Sequence, residues 1–257
     1  MISFKRTPII PQYKIEEIRQ IHHQGKSQED FHKLMAGKYI GDIVFGANDG
    51  IITTFAVVAG VAGASLSPVV VLILGSANLL ADGFSMAAGN FLARRSERQY
   101  EQTERKREEW EVDRLPKEEK QEIREIYAAK GFMGADLERV VDIITRDKKV
   151  WVDEMMISEL KIVGDEDNKP IKNAVATFTS FVIAGAVPLV PYIFGLAGNE
   201  AFKWAIVATA ICLFMVGSLR THITGIKWWL AGVEMLGVGA VAASVAYVVG
   251  YLLGNLI

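Results

Sequence analysis

The chain has 257 residues with 28 basic and 30 acidic side chains, a net charge of −2, which bounds it to one or two domains and leaves nucleic acid outside its expected partners. Its one cysteine, Cys212, excludes a disulfide framework. The balanced total hides segregation: residues 1–40 carry seven basic and four acidic groups, 41–93 three aspartates and no basic residue, 94–170 seventeen and twenty-one, and 171–257 four and two.

Residues 1–38 form a basic arm, read as a cytoplasmic, amphipathic surface element. It lacks the apolar run of about 7–15 residues that a cleavable signal needs. Two spans follow within residues 39–93. The first covers about Ile43 to Ala64 and the second about Pro68 to Phe91, joined by the tight turn SLSP. Each has the roughly 20 mostly apolar residues a bilayer crossing requires. Gly46 and Gly50 lie four residues apart, a small-residue face suited to close helix packing.

The second span has no breaker at its end. FLARRSERQYEQTERKREEWEVDRL runs without Gly or Pro to Pro116, so one helix is expected to leave the membrane and project into the cytoplasm. Residues 94–170 then read as a helical domain. KEEKQEIREIYAAKG is stopped by Gly131, ADLERVVDIITRD is a third helix, and KKVWVDEMMISELKIVG a fourth, ended by Gly164. Ile123, Ile126 and Tyr127, with Leu137, Val140, Val141 and Ile144, recur at helical spacing and can build a small core.

Residues 171–257 hold three more spans, about Ala174 to Leu196, Phe202 to Leu219 and Trp229 to Leu253. Trp204, Trp228 and Trp229 fall at expected ends, as in an aromatic belt. Gly250 and Gly254 repeat the small-residue spacing. Lysine and arginine concentrate in the arm, in residues 94–172 and in the Arg220 to Lys227 loop. The expectation is therefore an all-α, five-span, multi-pass membrane protein with its N-terminus cytoplasmic. With no targeting segment visible, a prokaryotic plasma membrane is favoured, or a vacuolar membrane in a eukaryote.

Two sets of polar residues point to chemistry. On the projecting helix, glutamates at 97, 101, 104, 108 and 111 share one face. Like charges a turn apart cost about 0.2–0.5 kcal/mol each in an isolated helix, so a cation is expected to offset them. Glu119 and Glu122 repeat the theme on the next helix, and Glu159 follows Met155 and Met156 by four and three residues. A charge run is usually a solvated face and a methionine pair usually core. Five carboxylates with two thioethers in one small domain instead fit Fe(II) or a similar first-row divalent ion. No histidine lies between 94 and 170, against a ferritin-like di-iron centre.

In the spans, Asp42, Asp49 and Asp82 are costly to bury and therefore functional candidates. Asp42 fits an interfacial place, with Asp49 about two turns deeper on nearly the same face. Asn78, Asp82, Met86 and Asn90 recur every four residues as a polar stripe. Packing around one buried hydrogen bond is the plainer account of Asp82 and Met86. Glu234, near the start of the fifth span, is left without a role.

GDIVFGANDGIITTFAVVAG, then NLLADGFSMAAGNF, a charged helical insert, MMISEL and the proline-bearing AVPLVPYIFG resemble, in that order, the vacuolar iron transporter family over about residues 38–257. The resemblance implies a homodimer exporting Fe(II), and also Mn(II), from the cytoplasm in exchange for protons. It implies no cofactor beyond the transported metal and no enzymatic activity. It matches Asp49 and Met86 to the pathway, and Glu108, Glu111, Glu119, Glu122, Met155, Met156 and Glu159 to a cytoplasmic metal-binding domain. Where Asn90 stands, many members carry an acidic residue. Two other functions compete: a membrane-anchored metal sensor or store without transport, and a membrane ferroxidase. Polar residues deep in the spans favour transport over sensing.

Overall fold

The computed structural model describes residues 34–163, 169–196, 198–221 and 227–256. The N-terminal arm to residue 33 and the expected stop at Gly164 lie outside the described residues. Among those described, every regular element is helical: α1 (Leu34–Gly63), α2 (Pro68–Arg114), α3 (Pro116–Ala129), α4 (Gly134–Thr145), α5 (Lys148–Ser158), α6 (Pro170–Gly185), a 3-10 turn (Val187–Leu189), α7 (Val190–Ile193), α8 (Gly198–Leu219) and α9 (Trp228–Gly254). Five stretches are long and apolar enough to cross a membrane, starting at Tyr39, Pro68, Pro170, Gly198 and Trp228. The molecule is an all-α polytopic membrane protein.

The chain divides into two compact units. One holds the described residues up to Phe91 and from Ile171 on, the other Leu92–Pro170. The 47-residue α2 belongs partly to each; the uninterrupted sequence between its apolar start and Pro116 carries it through.

In the membrane unit, glycine sets how closely helices approach. A Cβ at Gly46 would lie 2.6 Å from the Thr177 carbonyl oxygen of α6, and one at Gly50 would collide with the Phe181 carbonyl. Gly250 of α9 would collide in the same way with Gly60 of α1. The backbones touch there, and any larger residue forces them apart. An apolar core of Phe55, Val58, Leu79, Phe181 and Leu189 fills the space between α1, α2 and α6.

The third span differs from the sequence reading. Instead of one helix to Leu196, α6 ends at Gly185, and Pro188 and Pro191 reshape the backbone into the 3-10 turn and the short α7. Proline lacks the N–H that a continuous helix would use.

In the other unit, Val112, Ile123, Val141, Ile144, Trp151, Val152, Met155 and Met156 form one buried cluster, so the end of α2 and three short helices close around the core their apolar spacing requires. Helix α5 is shorter than its sequence indicates. It ends at Ser158, and Lys161 turns back with φ at 59°. The Ile162 N–H then caps the Met156 carbonyl at 2.8 Å, while Leu160 and Ile162 pack onto the core. Burial of those two side chains outcompetes another helical turn.

Candidate metal sites

In the unit of residues 92–170, α2 and α3 are separated only by Leu115. Pro116 starts α3 without needing an N–H partner, and the reversal returns the first turn of α3 against the last turns of α2. Glu119 thereby meets Glu108 and Glu111: one carboxylate oxygen from each lies within 4.8 Å of the other two. Glu108 and Glu119 are buried at 3 % and 4 % exposure, and the Oε2 atom of each is buried without a hydrogen-bond partner. Burial of a carboxylate lacking compensation is among the costliest arrangements available to a side chain.

The structure answers part of that cost with protons. Burial pushes Glu108 up to about 7, with the charges of Glu159, Glu111 and Glu122 adding to it. Glu119 is likewise pushed up to about 7 by burial and then by Glu122, Glu108, Glu111 and Glu159. Glu159 caps the end of α5. Desolvation raises its carboxyl, as do the charge of Glu122 and a hydrogen bond between the two. Glu159 is exposed as a residue and joins the cluster through its contact with Glu122. Five carboxylates thus belong to one electrostatic cluster.

Most basic side chains that could neutralise it are engaged elsewhere. Arg124 forks onto both Glu138 oxygens at 2.9 and 2.8 Å, joining α3 to α4. Lys120 holds Asp142 at 2.6 Å, Lys148 holds Asp113 at 2.6 Å, and Arg105 holds Asp153 at 2.6 Å. Lys130 bridges Glu154 and Ser158 at 2.8 and 2.9 Å and lies over the Tyr127 ring. Among the described residues, Arg107 pairs with Glu111 of the cluster at 3.2 Å, from a largely exposed position. Glu97 and the half-buried Glu101 and Glu104 continue the same helix face outside the cluster.

Met155 and Met156 are 0 % and 6 % exposed, within the apolar core. That core also contains Val112 and Ile123, the residues next to Glu111 and Glu122. The thioethers therefore belong to the layer on which the carboxylates stand. Oxygen donors suit hard divalent ions and an added sulfur favours softer first-row ones.

The membrane unit carries the second arrangement. Asn78, Asp82, Met86 and Asn90 are all half-buried, on one stripe of α2. Asp49 of α1 is half-buried, and its carboxylate feels the charge of Asp82. Met86 packs against the apolar cluster that contains Phe181. Asp42, expected at an interface, is 8 % exposed and part of the helix packing: the Asn90 amide donates to its Oδ1 at 3.0 Å and to Thr177 Oγ1 at 2.7 Å. Thr177, on α6, carries no signal in the sequence that could have identified it. Glu234 pairs with Arg220 at 2.8 Å.

The VIT family profile matches residues 40–251. A Toxoplasma gondii protein named vacuolar iron transporter is 40 % identical over 231 residues, 86 % of this chain and 76 % of its own length. A Plasmodium falciparum protein of the same name is 32 % identical over 93 % of this chain and 91 % of its own. A rice protein, vacuolar iron transporter 1, is 34 % identical over 82 % and 84 %.

Proposed function

The chain belongs to the VIT family, a family of transporters rather than enzymes, and from that premise we propose that it transports iron, taking Fe(II), and also Mn(II), out of the cytoplasm in exchange for protons. Residues 94–170 are the cytoplasmic domain that captures the ion. Glu108, Glu111, Glu119, Glu122 and Glu159 are its oxygen ligands, with Met155 and Met156 as soft donors. Asp42, Asp49, Asp82 and Met86 mark the route through the bilayer, and two copies of the chain work as a homodimer. In either a plasma or a vacuolar membrane, the ion leaves the cytoplasm.

The observation that carries this reading is the pair of buried Oε2 atoms without a hydrogen-bond partner on Glu108 and Glu119, inside a carboxylate cluster that, among the described residues, has Arg107 as its ion-pair partner. A divalent ion supplies the missing charge and displaces the protons that otherwise occupy the site. Support for passage rather than storage comes from Asp49 and Asp82, two carboxylates in coulombic reach within spanning helices. Such a pair is expensive in a bilayer unless ions use it. The test is simultaneous measurement of metal and proton flux in proteoliposomes holding the full chain under a pH gradient. Metal movement with counter-movement of protons is expected; metal binding without flux would reduce the protein to a sensor or store.

A further inference from the structure

Away from these residues, α1, α9 and Arg220, just past the end of α8, line an open groove of about 440 Å³. Apolar Val44, Phe45 and Val238 line it, together with three polar residues, Asn48, Arg220 and Glu234. We propose that this groove binds the head group of a zwitterionic phospholipid that carries a primary amine.

Depth is the first argument. Trp228 and Trp229, in the first turn of α9, are 59 % and 47 % exposed, as expected of residues at the membrane interface. Glu234 follows Trp228 by six residues, about 9 Å along the helix. The Arg220–Glu234 pair thus belongs near the boundary between head groups and acyl chains. Phe45 and Val238, 59 % and 55 % exposed, offer an acyl chain apolar wall directly beside that pair.

Charge complementarity is the second. Among the described lining residues, the groove presents one guanidinium and one carboxylate, a neutral pair that matches a zwitterion better than an anionic lipid. Arg220 donates to one Glu234 oxygen at 2.8 Å; a guanidinium has five donors in a planar fork and bridges carboxylate and phosphate readily. The third argument selects the amine. Asn48 Oδ1 is buried without a hydrogen-bond partner and requires a donor. A primary ammonium brings three N–H groups to Asn48 and Glu234, whereas a choline head group brings none. The groove also lies on another side of α1 from the proposed route: at about 100° per residue, Asn48 and Val44 point roughly a quarter turn or more from Asp42 and Asp49.

The full chain, reconstituted with equal amounts of phosphatidylethanolamine, phosphatidylcholine and phosphatidylglycerol and released into native mass spectrometry, should retain phosphatidylethanolamine over phosphatidylcholine by about fivefold, the effect of one net hydrogen bond. Glu234→Gln should erase that preference. Val238→Trp, which fills the groove and leaves Arg220 and Glu234 in place, should release the lipid from a protein with unchanged assembly and melting temperature. Equal retention of the ethanolamine and choline lipids would overturn the proposal. So would a preference for phosphatidylglycerol, or an ethanolamine preference that survives Val238→Trp.

Discussion

Asn90 ties three helices together by giving both hydrogens of one amide away, to Asp42 Oδ1 on α1 and Thr177 Oγ1 on α6. An amide does this without adding charge beside the buried Asp42, which is 8 % exposed. Asn90 therefore has a positioning task here. Asn90→Leu keeps the volume and removes both donors. It should destabilise the protein by about 1.5–3 kcal/mol, the range for losing a hydrogen bond to a charged group, read as a lowered midpoint in thermal unfolding of the solubilised chain. Combining it with Asp42→Leu should cost less than the sum of the single changes, because each change removes the same bond. Strict additivity would show that the bond contributes nothing.

Parts of this arrangement were legible in the sequence for simple reasons. Charge segregation and apolar length mark the five spans, and the unbroken run to Pro116 marks the long α2. The four-and-three spacing of glutamates places Glu108 and Glu111 on one face, but says nothing of what they meet; only the one-residue link at Leu115 returns Glu119 onto them. The early end of α5 depends on Leu160 and Ile162 reaching a core assembled from distant segments, and no local propensity encodes that. Thr177 is similarly silent, since a threonine among apolar residues looks the same whether or not an asparagine 87 residues away donates to it.

The acidic cluster makes metal capture dependent on pH. Glu108 and Glu119 titrate near 7 in the folded protein, against an ordinary glutamate value of 4.5. Between those values the folded state holds protons that the unfolded chain has lost. The stability from these two groups is thus fully present below about pH 4.5 and is lost as pH rises through about 7. Metal works in the opposite sense because it replaces the protons. Zn(II) affinity of the full chain should rise by about tenfold to a hundredfold per pH unit below 7, for one or two protons displaced, and level off above it. Titration calorimetry in buffers of different ionisation enthalpy reads that proton release; a flat profile from pH 5.5 to 7.5 would mean metal binds elsewhere.

Removing the ligands gives a separate check. Replacing Glu108, Glu111, Glu119 and Glu122 together by alanine should abolish high-affinity Fe(II) and Zn(II) binding while raising thermal stability without metal at pH 8, since four repelling groups disappear. The core of Val112, Ile123, Val141 and Met155 is untouched, so helicity should remain. Unchanged binding would refute the assignment.

Assembly follows from the spans. The polar stripe from Asn78 to Asn90 is half-buried within one chain, and the window of α9 that crosses the membrane is only 6 % buried. A second copy closing over the α2 stripe would line a route from both sides. The purified protein should scatter light as a dimer, and cross-links between cysteines introduced at Gly89, exposed on the stripe's own face of α2 with open space for a side chain, should join two chains and slow flux. A fully active monomer would remove the homodimer from the proposal.

The route itself is tested at Asp49 and Met86, which the proposal gives different tasks. Asp49 shares its surroundings with Asp82, so it supplies charge to a partly dehydrated cation. Asp49→Asn keeps the shape, removes the charge and should nearly eliminate metal flux in proteoliposomes. Met86, half-buried one turn beyond Asp82, supplies a neutral and polarisable sulfur. Met86→Leu keeps the volume, so a purely packing side chain should tolerate it, with equal effects on every ion carried. A ligand should not: flux of Fe(II) should fall several-fold more than flux of the harder Mn(II), because the thioether favours the softer ion. Equal losses for the two metals would make Met86 a packing residue. Undiminished metal and proton flux in Asp49→Asn would place the route elsewhere in the molecule.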